Sequence, residues 1–287
     1  MIRTLAAALA LGLAACAAGS NHVEPGPDPE VELVNNRLFV PTAVNGTVIM
    51  ALLDSAAEMT IVDDDFARRL GLVTEGSAAA HGSGAAQMEA GFTTVDIGMG
   101  GIQLPGRRVA VMDLGEVSQR LVGRPLDMIL GREPFDAAPL LIDIEERTVT
   151  TLAEGEGRRG IRLPLGEHRG TPTIPAAVEG HEPVGAVLDI GNGSEVLIGR
   201  DYAERIGLTA PGRIVERRSG GGLGGALERD IVVLRNLVVA GREFHDVRAA
   251  IDPGATASDL NLGTSILRHF VITTDFPQRA VWLEPRQ

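Results

Sequence analysis

Apolar positions in this chain fall into short runs broken by turn residues, and the runs recur twice in the same order. Residues 43–72 read AVNGTVIMALLDSAAEMTIVDDDFARRLGL, and residues 177–208 read AVEGHEPVGAVLDIGNGSEVLIGRDYAERIGL. Each stretch has a turn, an apolar run ending in Asp, a bend of small residues, a second apolar run, a short helical pattern and Gly-Leu. Solenoid repeats recur every 20–50 residues or so, and this period is far longer, so the pattern predicts a duplicated domain.

The elements follow from local chemistry. In the first copy Asn45-Gly46 predicts a hairpin, because both residues tolerate positive φ. Val48–Leu53 is the returning strand, and it stops at Asp54. A strand at Thr60-Ile61-Val62 leads to a short helix capped by Asp63 and stopped by Gly71. The small-residue segment 78–84 comes next, then alternating strands at Phe92–Ile97 and Val109–Met112. Met128-Ile129-Leu130-Gly131, a helical turn near Phe135 and a strand pair at 140–144 and 148–152 end the copy. Residues 154–160 are polar and Gly-rich and predict a linker. The second copy repeats the order: a hairpin at Glu179-Gly180, a strand ending at Asp189, a strand 196–198, a helix to Ile206, and a glycine segment 219–225. Strands at 231–234 and 237–239, Leu260-Asn261-Leu262-Gly263, a helix 264–270, and strands 271–275 and 280–283 complete it. Many short strands with few helices predict a mainly β architecture of two domains, 34–153 and 161–287.

Composition narrows the partners. The 287 residues carry 38 acidic against 26 basic side chains, a formal charge of −12. That argues against nucleic acid, which needs Lys/Arg patches to neutralise phosphate. Aromatic residues are only 3% of the chain, so its cores rest on Val, Ile, Leu and Ala.

The N-terminus stands apart. Leu5–Leu13 is apolar but too short to span a bilayer. Leu13-Ala14-Ala15-Cys16 follows, and Cys16 is the only cysteine, so no internal disulfide can form. The segment resembles a bacterial lipobox. That resemblance implies a signal peptide over 1–15, lipidation at Cys16, and a location in the bacterial envelope on the outer membrane facing the periplasm. The membrane would be held only through the lipid. Residues 16–33, with Pro25, Pro27 and Pro29, read as a flexible tether.

The candidate chemistry lies in the two repeated carboxylates, Asp54 and Asp189. Alone, each reads as a turn residue ending a strand. Related by pseudo-symmetry, they form the arrangement an aspartic dyad needs. At roughly 3 Å and an effective dielectric near 20, two carboxylates repel by about 5 kcal/mol. They would then share one proton and titrate as a pair.

These motifs resemble the retropepsin-like aspartic proteases in a tandem form, over essentially all of residues 34–285. The family pattern is apolar-apolar-Asp-Thr/Ser-Gly, then a later apolar-apolar-Gly. Here it stands as Leu52-Leu53-Asp54-Ser55-Ala56 with Ile129-Leu130-Gly131, and as Val187-Leu188-Asp189-Ile190-Gly191 with Asn261-Leu262-Gly263. The resemblance implies two closed β domains paired about a pseudo-two-fold axis, a single-chain pseudo-dimer like pepsin, monomeric and free of cofactor. A peptide or protein substrate would lie between Asp54 and Asp189. The glycine segments, with His81, Gly82, Ser83, Gly84 and Gly220, Gly221, Gly222, would form flaps over it. The family's hydroxyl residue braces the two Asp loops, which Ser55 can do and Ile190 cannot. Gly191 keeps the family's backbone freedom, and Ala56 lacks it if positive φ is needed. Neither glycine segment carries the Tyr of pepsin-like flaps. Three functions stay open: a peptide hydrolase, favoured by Ser55 and both aspartates; a degenerate peptide-binding lipoprotein, favoured by Ala56, Ile190 and the missing Tyr; and, with less behind it, a structural or assembly lipoprotein.

Other signals do not cohere. The six histidines show no metal-ligand spacing. The Gly220–Gly225 run lacks the Gly-Lys-Ser/Thr of a phosphate loop, and no Gly-x-Ser-x-Gly elbow is present. A glycosidase would use two carboxylates without this duplicated frame. Asn45-Gly46-Thr47 and Asn192-Gly193-Ser194 match glycosylation sequons but read as turns.

Overall fold

A computed structural model describes residues 21–24 and 30–286. It is mainly β, and each copy forms its own sheet, nine-stranded in the first and eight-stranded in the second. Both hairpins form as expected. Asn45 (φ 48°) and Gly46 (φ 83°) turn the first, and Glu179 (φ 49°) and Gly180 (φ 77°) turn the second. Positive φ at both central residues matches the twist of the strands they join. The first helix, Asp64–Arg69, is capped by Asp63, whose Oδ1 accepts from Phe66 N at 3.1 Å. Its counterpart is Arg200–Arg205.

The two Asp-bearing strands are held alike. Thr47–Leu53 runs parallel to Met128–Leu130, pairing Leu53 with Leu130. Val184–Leu188 runs parallel to Leu260–Leu262, pairing Leu188 with Leu262. Asp54 N donates to Leu130 O at 2.9 Å, and Asp189 N to Leu262 O at 3.0 Å. Asp54 therefore corresponds to Asp189, and Gly131 to Gly263. Each glycine lets its Asp loop pass against the neighbouring strand. A Cβ at Gly131 would crowd Ala57 O and the Met59–Thr60 backbone, and one at Gly263 would overlap Asn192 O.

The strand pair that ends each copy joins the two halves. Leu140–Asp143 lies antiparallel to Phe270–Asp275, centred on Ile142 opposite Ile272, and Thr148–Thr151 and Ala280–Pro285 extend this sheet on either side. Ile161–Pro164 adds a fifth strand. Phe135 stacks on Phe276 across the junction at 5.3 Å between ring centres. One apolar cluster runs from Leu38 of the first copy to Leu283 of the second.

Several elements differ from the sequence pattern. Residues 22–23 pair with Ile102–Met112, and Glu32–Val34 pairs with Arg37–Val44, so parts of the segment read as a tether are strands of the first sheet. The flap strands Glu75–Ala80 and Ile214–Gly220 escape an apolar reading because nearly every residue in them is exposed. Leu227–Val239 is one strand, where the pattern gave two, since polar Arg235 and Asn236 continue it at a solvent-facing stretch. Its partner Arg242–Asp252 alternates too weakly at its start to be read. The last helix is shorter than expected, Thr264–Leu267. Cys16 and the residues before it lie outside the described residues. Among the described residues, no helix is long and apolar enough to cross a membrane.

Candidate active site

Asp54 and Asp189 open into one cleft of about 1770 Å³ between the two sheets. Their loops are in direct contact. A Cβ on Gly191 would overlap the Asp54 carboxylate, so the opposite loop approaches Asp54 as only glycine permits. Neither Gly191 nor Ala56 has positive φ. The glycine requirement at 191 is thus one of space, and Ala56 carries no backbone strain.

Ser55 joins the loops. Its Oγ, fully buried, donates to Leu188 O at 2.6 Å and accepts from Ile190 N at 3.0 Å. Ile190, equally buried, has no hydroxyl with which to reciprocate. The brace therefore runs one way, from the first copy to the second.

The carboxylates have unequal partners. Asp54 Oδ1 accepts from Ala56 N at 2.8 Å and Ala57 N at 3.2 Å. Asp189 Oδ1 accepts from Asn192 N at 2.9 Å, and its Oδ2 from Asn261 Nδ2 at 2.6 Å. Asn261 is fixed in turn, because its Oδ1 accepts from Asn192 Nδ2 at 2.9 Å. The residue matching Asn261 in the first copy is Ile129, which offers nothing. Burial, and then the charge of Asp189, push Asp54 up to about 7 against the pull of its two N–H donors and of Arg37. Burial also raises Asp189, opposed by Asn261, Asn192, Arg37 and Gly191 N. Hydrogen bonds to an ionised carboxylate favour that form. The second carboxylate is thus the better solvated by protein, and protonation is favoured on Asp54 over Asp189.

Arg37 was not singled out by sequence. It opens the strand Arg37–Val44, is 7% exposed, and donates from Nη1 to Asn35 O at 2.9 Å and Leu121 O at 3.1 Å. Its charge favours ionisation of both aspartates. A Cβ on Gly193 would crowd its side chain.

The two glycine segments meet tip to tip over the cleft. Gly84 N donates to Leu223 O and Ala86 N to Gly224 O, both at 2.8 Å. A Cβ on Gly82, Gly84, Gly222 or Gly224 would collide with the opposite segment. Two arginines tie them down. Arg120 donates to Gly221 O and Gly222 O, each at 2.8 Å, and Arg229 Nη2 donates to Ser83 O at 2.9 Å. His81, Gly82, Ser83, Gly84, Gly220, Gly221 and Gly222 all line the cleft. Arg120 and Arg229 were missed because a charged residue on a strand or helical turn reads as ordinary solvent face. Asn261 carried a signal, as a polar residue inside a buried apolar run whose twin in the first copy is Ile129.

Among the described residues, one carboxylate cluster lies outside this cleft. Oxygens of Asp63, Asp64 and Asp113 lie within 4.8 Å of one another. Asp63 already spends Oδ1 on its helix cap and Oδ2 on Leu114 N, and Asp113 spends Oδ1 on Gly115 N.

Two similar lobes, a shared sheet between them and one Asp loop from each define a pepsin-like pseudo-dimer. The model of the family described as "Aspartyl protease" matches residues 40–133 and 174–266, one match per lobe and together more than half the chain. The chain belongs to this aspartyl protease family, and its family and fold are those of an aspartic-type peptidase. It is 28% identical over 126 residues to the DNA damage-inducible protein 1 of Phaeosphaeria nodorum, a match covering 42% of this chain and 26% of that protein. The chain thus matches only about a quarter of that relative's length. Among solved structures, the aspartic proteinase of Irpex lacteus is similar in fold, with a TM-score of 0.54 at 13% identity, over 92% of this chain and 98% of the other. A retropepsin-like aspartic protease from Rickettsia conorii matches 43% of this chain and 88% of its own, at 20% identity and a TM-score of 0.35.

Proposed function

We propose that the protein hydrolyses peptide bonds with Asp54 and Asp189 acting as one shared-proton pair. The observation that carries this reading is the contact between the Asp54 carboxylate and Gly191 of the opposite loop, braced by Ser55. Asp189, holding donors on both oxygens, is the ionised member and takes a proton from a water molecule. Asp54 keeps both N–H donors on Oδ1, which leaves Oδ2 to carry the shared proton and deliver it to the scissile carbonyl oxygen. Water adds to the carbonyl carbon, the amide nitrogen takes a proton as the C–N bond breaks, and no acyl-enzyme forms. The closed glycine segments exclude bulk water and present backbone to an extended peptide.

Leu13-Ala14-Ala15-Cys16 after an apolar stretch supports a second part of the proposal, a monomer in the bacterial envelope anchored through lipid on Cys16. Cys16→Ser should abolish acyl labelling and release the protein from the membrane fraction; unchanged membrane association would reject the anchor. A second reading, peptide binding without cleavage, is favoured by Ile190, which leaves the brace one-sided. Peptide-library digestion by the purified chain separates the two. Cleavage lost in both Asp54→Asn and Asp189→Asn supports the hydrolase, cleavage that survives both refutes the dyad, and binding without cleavage at any pH favours the second reading.

A further inference from the structure

The pairing registers match the two lobes residue by residue. Phe92 pairs with Ala110, which also pairs with Ile61, and Ile231 pairs with Ala250, which also pairs with Leu197. Counting along those strands, Ala90 matches Arg229 and Met112 matches Asp252, and Met59 and Glu195 each stand two residues before the paired Ile61 and Leu197. Ala78, opposite Ala90, matches Arg218, opposite Arg229.

Phe92 and Ile231, Ala110 and Ala250, and Ile61 and Leu197 are apolar in both lobes, but the other matched positions have opposite chemistry. In the first lobe Met59, Ile61, Ala80, Ala90, Phe92 and Met112 form one apolar cluster, and all six line the cleft. In the second lobe the cleft wall carries Arg229 with Asp252 and Arg218 with Glu195. Arg229 is 6% exposed. Its Nη2 spans Asp252 Oδ2 at 3.2 Å and Ser83 O, while its buried Nε has no acceptor among the described residues. The acidic members are already satisfied: Asp252 Oδ1 accepts from Gly254 N at 2.9 Å, and Glu195 pairs with Arg218. The unmet demand is therefore for an acceptor. Arg120 nearby is paired with Glu116 and spends its other donors on Gly221 O and Gly222 O, so the open donor on this wall is Arg229 Nε. A buried N–H left without an acceptor is costly, and a charged ligand oxygen meets it best.

We propose that the cleft selects peptides asymmetrically, taking an apolar side chain against Met59 and Met112 in the first lobe and an aspartate or glutamate side chain against Arg229 in the second, at matching positions on opposite sides of the scissile bond. This rests on the peptidase reading for the bond it places between them. The side-chain preference itself is a property of the two walls.

The test has a cleavage arm and a binding arm, both with the full chain. A combinatorial peptide library should yield a one-sided pattern, apolar on one side and Asp or Glu on the other. The double variant Arg229→Ala with Asp252→Met writes the first lobe's pair into the second and leaves no buried charge unpaired. It should lower kcat/KM for the acidic peptide at least about tenfold, the cost of a lost charged hydrogen bond, and raise that for a peptide apolar on both sides. Arg229→Lys, which keeps the charge and the Asp252 pair but lacks Nε, carries the same comparison if the double variant does not fold. In the binding arm, fluorescence anisotropy with Asp54→Asn reads the same two peptides without cleavage. Acid-selective binding, with no cleavage of either peptide by the wild-type chain, would sink the peptidase reading and sustain the side-chain assignment. Equal apolar preference on both sides, a preference for basic residues, retention of the acidic preference in the Arg229 variants, or binding of neither peptide would overturn it.

Discussion

The two Asp loops hold the same place in matched lobes, yet they share out their work unequally. The first supplies the hydroxyl brace, Ser55, and the second supplies the space, Gly191. The second also solvates its carboxylate better, because Asn261 stands where the first copy has Ile129. A symmetric dimer cannot divide tasks this way, since each residue must serve both roles. Fusion of the copies into one chain frees each loop to lose what the other provides. The difference also favours protonation of Asp54 over Asp189.

The largest effect that would break this comparison is loss of either carboxylate. Asp54→Asn and Asp189→Asn should each cost at least about 10²–10⁴-fold in kcat/KM on a cleaved peptide. The double variant should be no worse than either single one, because one proton-sharing unit is removed once. Additive losses would mean that the aspartates act separately.

Gly191→Ala should come next. Its Cβ would enter the Asp54 carboxylate, so activity should fall about as far as for the Asp variants, while Ala56→Gly, at the matching position and unstrained, should change kcat/KM little. Similar losses in the two would show that the loops are equivalent after all. Ser55→Ala leaves Ile190 N buried without its acceptor and should cost about 1–3 kcal/mol in denaturant unfolding, with a smaller loss of activity than either Asp change. Ile190→Thr, which restores the reciprocal hydroxyl, should raise activity if the one-sided brace limits it.

The pH dependence sharpens the contrast. Asp54 is held up to about 7 in the folded chain against 3.8 as its ordinary value. Stability from its protonated form is complete below the ordinary value and drains away as pH rises toward about 7. Asp54→Asn should therefore melt higher than the wild type at pH 8, with the gap closing near pH 4, each pKa unit being worth about 1.4 kcal/mol. Asn261→Ile, which copies the first lobe, removes a donor from the Asp189 carboxylate. The acid limb of the activity profile should then shift to higher pH, and an unmoved limb would deny Asn261 its part.

Much of this was legible in the sequence, for a physical reason. Asp54, Ser55, Asp189 and Gly191 interrupt buried apolar runs, where a polar or missing side chain must be explained, and the repeat supplies the explanation. The flap strands were seen only as small-residue segments, because exposure on both faces erases the alternation that marks a strand. Arg37, Arg120, Arg229 and Asp252 stayed hidden because a charge facing a cleft and a charge facing bulk water look alike in one dimension. Only the register, which sets Arg229 against Ala90, shows that the walls differ.

The unequal dyad is tested most directly by carbon-13 NMR of the aspartate carboxyls, titrated in the wild type and assigned with the two Asp→Asn variants. One proton shared and seated on Asp54 predicts two coupled steps, with the Asp189 carboxyl ionised first and the Asp54 carboxyl protonated until pH approaches about 7. Two independent carboxyls that both titrate near 3.8, unaffected by each other's removal, would contradict it.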